Sequence, residues 1–202
     1  MRIGLIADTH IPESFSELPE PVMRGLAGSD LIFHAGDLHI TDVLDQLEQI
    51  APVVCSRGNG DREIKRDPRI HSSYRLEVEG VRVGLVHEIL HPYLPLDEAI
   101  ARDFDAPVDI VVSGHTHMLG IQQVNGTVLV NPGSATYPFN LDRQIGTIGL
   151  LDITPDEVSI RLIRPTDDSD EHHLPAAHWI RYMARYLPDT DRLPALGWKR
   201  DR

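Results

Sequence analysis

Short apolar runs, each broken off by a polar loop, recur along the first third of the chain. Ile3 to Ala7 (IGLIA) is apolar throughout, the pattern of a strand buried on both faces. Beyond Asp8 to His10, Pro19 and Pro21 lead into the apolar-periodic segment Val22 to Ala27, and Gly28 follows. Proline at the start and glycine past the end predict a short helix. Leu31, Ile32 and Phe33 predict a second strand, running into His34-Ala35-Gly36-Asp37. Thr41 can cap a helix with Val43, Leu44, Leu47 and Ile50 at helical spacing. Pro52 to Cys55 predicts a third strand, ending in Arg57-Gly58-Asn59-Gly60-Asp61. This alternation of strand and helix implies parallel pairing in an α/β layer architecture.

The pattern then changes. Tyr74 to Val78 and Val81 to Val86 alternate about Glu79-Gly80 and read as a hairpin. Leu96 to Phe104 predicts a helix, and Val108 to Val112 a buried strand that ends in Ser113-Gly114-His115-Thr116-His117. Asn125-Gly126, inside Gln122 to Val130, is the strongest short hairpin signal. Gly146 to Asp152 and Glu157 to Ile163 predict two further strands. The second half therefore reads as mostly antiparallel, and the whole as two packed sheets with helices outside. One domain is expected over residues 1–164. From Pro165 the sequence turns to PTDDSDEHH, an acidic linker, after which Ala176, Trp179, Ile180, Met183 and Leu187 make one apolar helix face. Residues 165–202 thus read as a C-terminal extension, and its uncovered apolar face would suit a homodimer.

Composition narrows the function classes. A chain of 202 residues with 41% hydrophobic and 25% charged residues is globular rather than disordered or fibrous. Lys+Arg number 19 against 31 Asp+Glu, a formal net charge of −12. That balance speaks against duplex nucleic acid and anionic membrane as partners, since both call for a basic footprint. The single cysteine, Cys55, can build neither an internal disulfide nor a thiolate zinc site. No apolar run approaches the roughly 20 residues of a membrane span, and the apolar stretch in MRIGLIADTH is shorter than a signal-peptide core. A cytoplasmic protein is expected. Eleven histidines then stand out as candidate chemistry.

Asp8/His10, Asp37, Asn59, His87 and His115/His117 each follow an apolar, strand-like run directly. Ligands of α/β sheets bind outside the carboxyl ends of strands, where such loops converge. Taken singly, Asp8 could be a turn residue, Asp37 a helix cap and Asn59 a left-handed turn between two glycines. Taken together, five loops carrying Asp, Asn and His and no Cys suit an open metal site for Mn, Fe, Ni or Zn.

The ordered set Asp8-x-His10, Gly36-Asp37, Gly58-Asn59-x-Asp61, His87 and Gly114-His115-x-His117 resembles the calcineurin-like metallophosphoesterases. Within them it is similar to the small bacterial and archaeal phosphodiesterase branch, which also includes the retromer scaffold subunit of eukaryotes. Asn131-Pro132-Gly133-Ser134 is a further mark of that branch. The resemblance covers about residues 1–164 and implies a four-layer α/β/β/α fold of two packed mixed sheets flanked by helices. It also implies a binuclear centre with Asp8, His10 and His117 on one divalent ion and Asn59, His87 and His115 on the other. Asp37 would bridge them, and Asp37 and Asn59 would act with a metal-bound water as nucleophile on a small phosphoester. Mn is the favoured metal, with Fe, Ni, Zn or Mg as alternatives.

Two positions depart from the family pattern. The phosphomonoesterase branch carries a leaving-group acid, a histidine, after the metal-binding Asn; here that position is Gly60, followed by Asp61. Loss of a general acid, typically worth about 10²–10⁴-fold, favours good leaving groups and hence diesters. His34 and His39 could supply the proton, or could support the metal loops. Glu88 stands after His87 in place of the usual glycine, where it could crowd the second metal, add an oxygen to it, or point away. Arg57 and Arg62 could contact phosphate or be spent on acids and solvent. A metal-stabilised interaction scaffold and a phosphomonoesterase are the competing readings.

Overall fold

The computed structural model describes residues 1–138, 143–165 and 172–173. In chain order the elements are β1 (Arg2–Ile6), α1 (Glu20–Gly25), β2 (Leu31–His34), α2 (Asp42–Leu47), β3 (Val53–Ser56) and β4 (Ile70–His71). There follow β5 (Ser73–Val78), β6 (Val81–Val86), α3 (Leu96–Asp103), β7 (Ile110–Val112), β8 (Gly120–Val124) and β9 (Thr127–Asn131). The last are β10 (Ile148–Ile153), β11 (Val158–Arg164) and β12 (His172–His173).

Two mixed sheets face each other, a seven-stranded one ordered β12-β11-β10-β1-β2-β3-β4 and a five-stranded one ordered β5-β6-β7-β9-β8. The period-2 alternation of strands decides what lies between them. Ile3, Leu5 and Ala7 of β1 and its exit point inward, with Phe33, Val83, Leu85, Ile110, Val112, Val128 and Val130, into one buried cluster. Ile6 and Ile32 point to the other face of the larger sheet, where Val22 and Leu26 from the α1 region and Val43, Leu44 and Leu47 of α2 cover them. On the outer side of the smaller sheet, Leu96 and Phe104 at the ends of α3 pack with Val86, Val108, Val111 and Leu129. The result is the four-layer α/β/β/α arrangement. Each fully buried Val, Leu or Ile contributes about 1.5–3 kcal/mol, so these clusters dominate the favourable side of folding.

Strands β1, β2 and β3 pair in parallel, as the strand–helix alternation requires. The second half differs from the antiparallel expectation. β5·β6 and β8·β9 are antiparallel hairpins, but β6·β7 and β7·β9 are parallel, because α3 forms a crossover between β6 and β7. Strands β10 and β11 join the larger sheet, β10 pairing antiparallel with β1. β4 was not anticipated; two residues carry too little pattern, and its place comes from pairing with Cys55 and Ser56. Thr41 precedes α2, but its hydroxyl makes no cap bond, and Asp42 and Asp45 put negative charge on the first turn instead. α1 begins at Glu20, two residues before the apolar run, and α2 ends at Leu47.

His172 and His173 pair with Arg164 and Ile163 at the edge of the larger sheet. The amphipathic segment at 176–187, and with it the expected dimer face, lies outside the described residues. No helix among the described residues is long and apolar enough to cross a membrane.

Candidate metal centre

The carboxyl ends of β1, β2, β3, β6 and β7 deliver the seven candidate ligands. Asp8 and His10 follow β1, Asp37 follows β2, Asn59 follows β3, His87 follows β6, and His115 and His117 follow β7. Positive φ is uncommon outside glycine, yet it recurs here at Asp8 (52°), His10 (45°), Asp37 (57°), His39 (71°), His115 (68°) and His117 (58°). Glu79 and Asn125, the remaining two described non-glycine cases, sit in the tight turns of β5·β6 and β8·β9. Concentration of a costly backbone conformation in three loops that meet at one place marks a site rather than a set of ordinary turns.

The loops are close enough that glycine is needed between them. A Cβ on Gly58 would overlap the Asp37 carboxylate, and one on Gly114 would come within 2.8 Å of Asp8 Oδ2.

Side-chain atoms converge in two groups. Ligand atoms of Asp8, His10 and His117 all lie within 4.8 Å of one another, and so do those of Asp37, His87 and His115. Asn59, exposed, completes the second group through its Oδ1, 3.1 Å from His87 Nε2. The tautomers follow from the carbonyls behind the rings, since a carbonyl only accepts. His117 Nδ1–H donates to Tyr137 O at 2.7 Å, which leaves the Nε2 lone pair facing His10 Nε2 at 3.0 Å and Asp8 Oδ1 at 3.8 Å. His87 Nδ1–H donates to Ala35 O at 2.7 Å, so its Nε2 lone pair faces His115 Nδ1 at 3.2 Å and Asp37 Oδ1 at 3.6 Å. Asp8 Oδ2 is buried with no hydrogen-bond partner. The Nε2 lone pairs of His87 and His117 and the orphaned Asp8 Oδ2 are donor atoms that a cation would satisfy. His and carboxylate donors with no thiolate are the donor set of a catalytic divalent ion.

Asp37 lies between the groups. Its Oδ2 is 3.8 Å from His10 Nε2 on one side, and its Oδ1 is 3.6 Å from His87 Nε2 on the other.

Burial sets the protonation of the site. It pushes the Asp8 carboxyl well above the ordinary carboxylate range, against the His115 amide that donates to it. It lowers His117, and it lowers His10 to about 4, so both rings are neutral and able to ligate at pH 7.

The supporting contacts give each remaining candidate a place, except Arg62, which is exposed. Buried Asp61 accepts four main-chain N–H bonds, from Asp37 and Gly58 on Oδ2 and from Leu38 and His39 on Oδ1. Burial raises the Asp61 carboxyl, but those amides and His34 outweigh it and hold the group below its usual range. His34 is fully buried behind the site, accepting from Gly36 N on Nδ1 and bonded through Nε2 to Thr9 Oγ1 at 3.1 Å, which ties the β1 and β2 loops together. Arg57 donates to the carbonyls of Asp61 and Ile64, so that guanidinium nitrogen is spent on its own loop. Glu88 Oε1 lies 3.7 Å from His115 Nε2, on the far side of the ring from His87. His39 contacts His10 at 2.9 Å.

Sequence reasoning missed three braces. Thr136 Oγ1 donates to Thr9 O, Ser134 Oγ donates to Asp8 O at 2.7 Å, and Tyr137 supplies the carbonyl behind His117. Ser134 lies in the noted Asn131-Pro132-Gly133-Ser134 segment, whose Asn131 also donates to Gly114 O. Thr136 and Tyr137 carry no local signal.

Comparisons with known proteins place the chain among its relatives. A probable metallophosphoesterase from Methanothermobacter thermautotrophicus is 42% identical over 139 residues, 68% of this chain and 79% of that protein. The phosphodiesterase MJ0936 from Methanocaldococcus jannaschii is 24% identical over 168 residues, 75% of this chain and 93% of that one. The solved structure of Vps29 with Zn²⁺ from Entamoeba histolytica superposes with a TM-score of 0.66 at 27% identity, covering 86% of this chain and 98% of that one. Residues 1–156 match the model of the calcineurin-like phosphoesterase superfamily domain, and the chain belongs to that superfamily.

Proposed function

We propose that this chain is a metal-dependent phosphoesterase that prefers phosphodiesters and works with two divalent ions held on either side of Asp37. The observation that carries the reading is the placement of Asp37, one carboxylate oxygen toward the His10 side and the other toward the His87 side. Asp8, His10 and His117 would hold one ion, and Asn59, His87 and His115 the other. When bound, such a pair lowers the pKa of a water at neutral pH and clamps the oxygens of an in-line displacement.

The chain itself supplies orientation. Carbonyls of Ala35 and Tyr137 fix the lone pairs of His87 and His117, and Asp61 fixes the loop that carries Asp37. Gly60 brings no proton donor to the leaving oxygen. A substrate whose leaving group departs without protonation is then favoured, which supports activated esters over alkyl monoesters. The relative MJ0936 is named a phosphodiesterase, which points the same way. Mn²⁺ is the proposed metal, and the Zn²⁺ bound by the Entamoeba Vps29 keeps zinc as the alternative. A sole, buried cysteine is consistent with a reducing, cytoplasmic setting.

The test is hydrolysis of an activated aryl phosphodiester and the matching monoester by metal-stripped protein given Mn²⁺. Diester turnover that needs the metal is expected, falling about 100-fold or more in Asp37→Asn and His115→Ala, because loss of a mere supporting partner already costs about 10–100-fold. Turnover indifferent to metal or to both substitutions contradicts the reading, and a strong monoester preference contradicts its diester part. Likeness to Vps29 favours one other reading, an interaction scaffold with a metal-stabilised fold. It predicts a stable protein partner and no hydrolysis with any metal.

A further inference from the structure

We infer that His39 is a positioning residue for the metal ligand His10, and that position 60 is glycine to leave room for it. The inference rests on the two-ion reading above. His10 Nδ1 and His39 Nε2 are 2.9 Å apart, with the rings edge-on at 80° and centroids 4.6 Å apart. One of the two nitrogens must donate. His10 Nε2 faces His117 and Asp37, so an ion on that side needs the Nε2 lone pair and puts the His10 proton on Nδ1. His10 Nδ1–H then donates to His39 Nε2, and His39 carries its own proton on Nδ1, 3.6 Å from Glu13 Oε1. His39 thus fixes both the tautomer and the ring plane of His10, as partners behind metal-bound histidines do.

Two further observations single out His39. It adopts φ of 71°, the same costly left-handed backbone as five of the seven candidate ligands, although it ligates nothing in either group of the centre. Its ring also occupies the space above Gly60: a Cβ there would overlap His39 Nε2 and come within 2.7 Å of Cδ2. The backbone of Gly60 is held in place by its N–H, which donates to Asp37 Oδ1 at 2.7 Å, so retreat would cost that bond. Any side chain at position 60 therefore displaces the His39 ring and breaks its bond to His10. His10, Glu13 and His39 also lie close enough to suggest a cation of their own. That would require His10 to hold ions with both nitrogens, and Glu13 is 73% exposed, so the hydrogen bond accounts better for the contact.

Calorimetric titration of the metal-free full chain with Mn²⁺, without substrate, tests this. The wild type is expected to bind two ions. In His39→Ala one binding step weakens by about 10–100-fold while the other is retained, and His39→Gln, whose amide oxygen reaches the place of Nε2, recovers most of it. Gly60→Ala should match His39→Ala, and the double substitution should be no worse than His39→Ala alone, since both remove one contact. Two tight steps unchanged in His39→Ala, or a Gly60→Ala cost that adds in full on the His39→Ala background, would overturn the inference while leaving the two-ion reading standing. A wild type that binds fewer than two ions overturns both. Should His39→Ala fail to fold, Gly60→Ala against His39→Gln decides the same point: equal affinities of the two contradict it.

Discussion

At the scale of residues, the site depends on groups that never meet a substrate. His34 is the clearest of them. Burial holds its imidazole at about 4, against about 6.5 for an exposed histidine in the unfolded chain. Between those values the unfolded state binds a proton that the native state refuses. Stability contributed by neutral His34 is thus present in full above pH 6.5 and falls with pH, by about 1.4 kcal/mol per pH unit, until about pH 4. Denaturant unfolding of metal-free protein at pH 7 and pH 5 should show this loss, and His34→Gln should remove roughly one proton's share of it. Equal pH dependence in both proteins would show that His34 is charged or exposed in the fold. The seven ligand candidates were legible in the sequence because each is a local event, an Asp, Asn or His directly after an apolar run. His34, Asp61, Thr136 and the carbonyl of Tyr137 were not assignable in the same way, since their partners lie on other segments and only the fold brings them together.

At the scale of elements, β6 shows how packing holds a ligand loop. Gly84 sits in mid-strand under Phe104, at the end of α3; an added Cβ would lie 2.7 Å from Phe104 Cζ and 2.8 Å from Cε1. The ring is buried and cannot swing free, so Gly84→Ala should cost about 1–3 kcal/mol of stability by overpacking. Phe104→Leu should relieve part of that cost in the double variant, read as the shift in unfolding midpoint; strict additivity would mean that the ring is not what the methyl meets. The parallel order of β6, β7 and β9 was not legible for a related reason. Alternating apolar positions mark a strand and its faces, but the pairing partner is chosen by the crossover through α3 and by the hairpin β8·β9. The strand–helix alternation of β1 to β3 leaves no such freedom, and there the parallel order was readable directly.

At the scale of the whole molecule, two sheets present the carboxyl ends of five strands to one edge, and the formal charge of −12 is compatible with an anionic substrate because of it. Asp8 and Asp37 belong to that sum, and ions held between them would make the local field positive where a phosphoester would sit. The proposed activity thus rests on one geometry: one centre, two ions, Asp37 between them. Anomalous diffraction from crystals of the full chain soaked in Mn²⁺ would locate the ions. Two peaks about 3.5–4 Å apart are predicted, one against Asp8, His10 and His117, the other against Asn59, His87 and His115, with Asp37 touching both. A single peak, or a pair that Asp37 does not bridge, would contradict it.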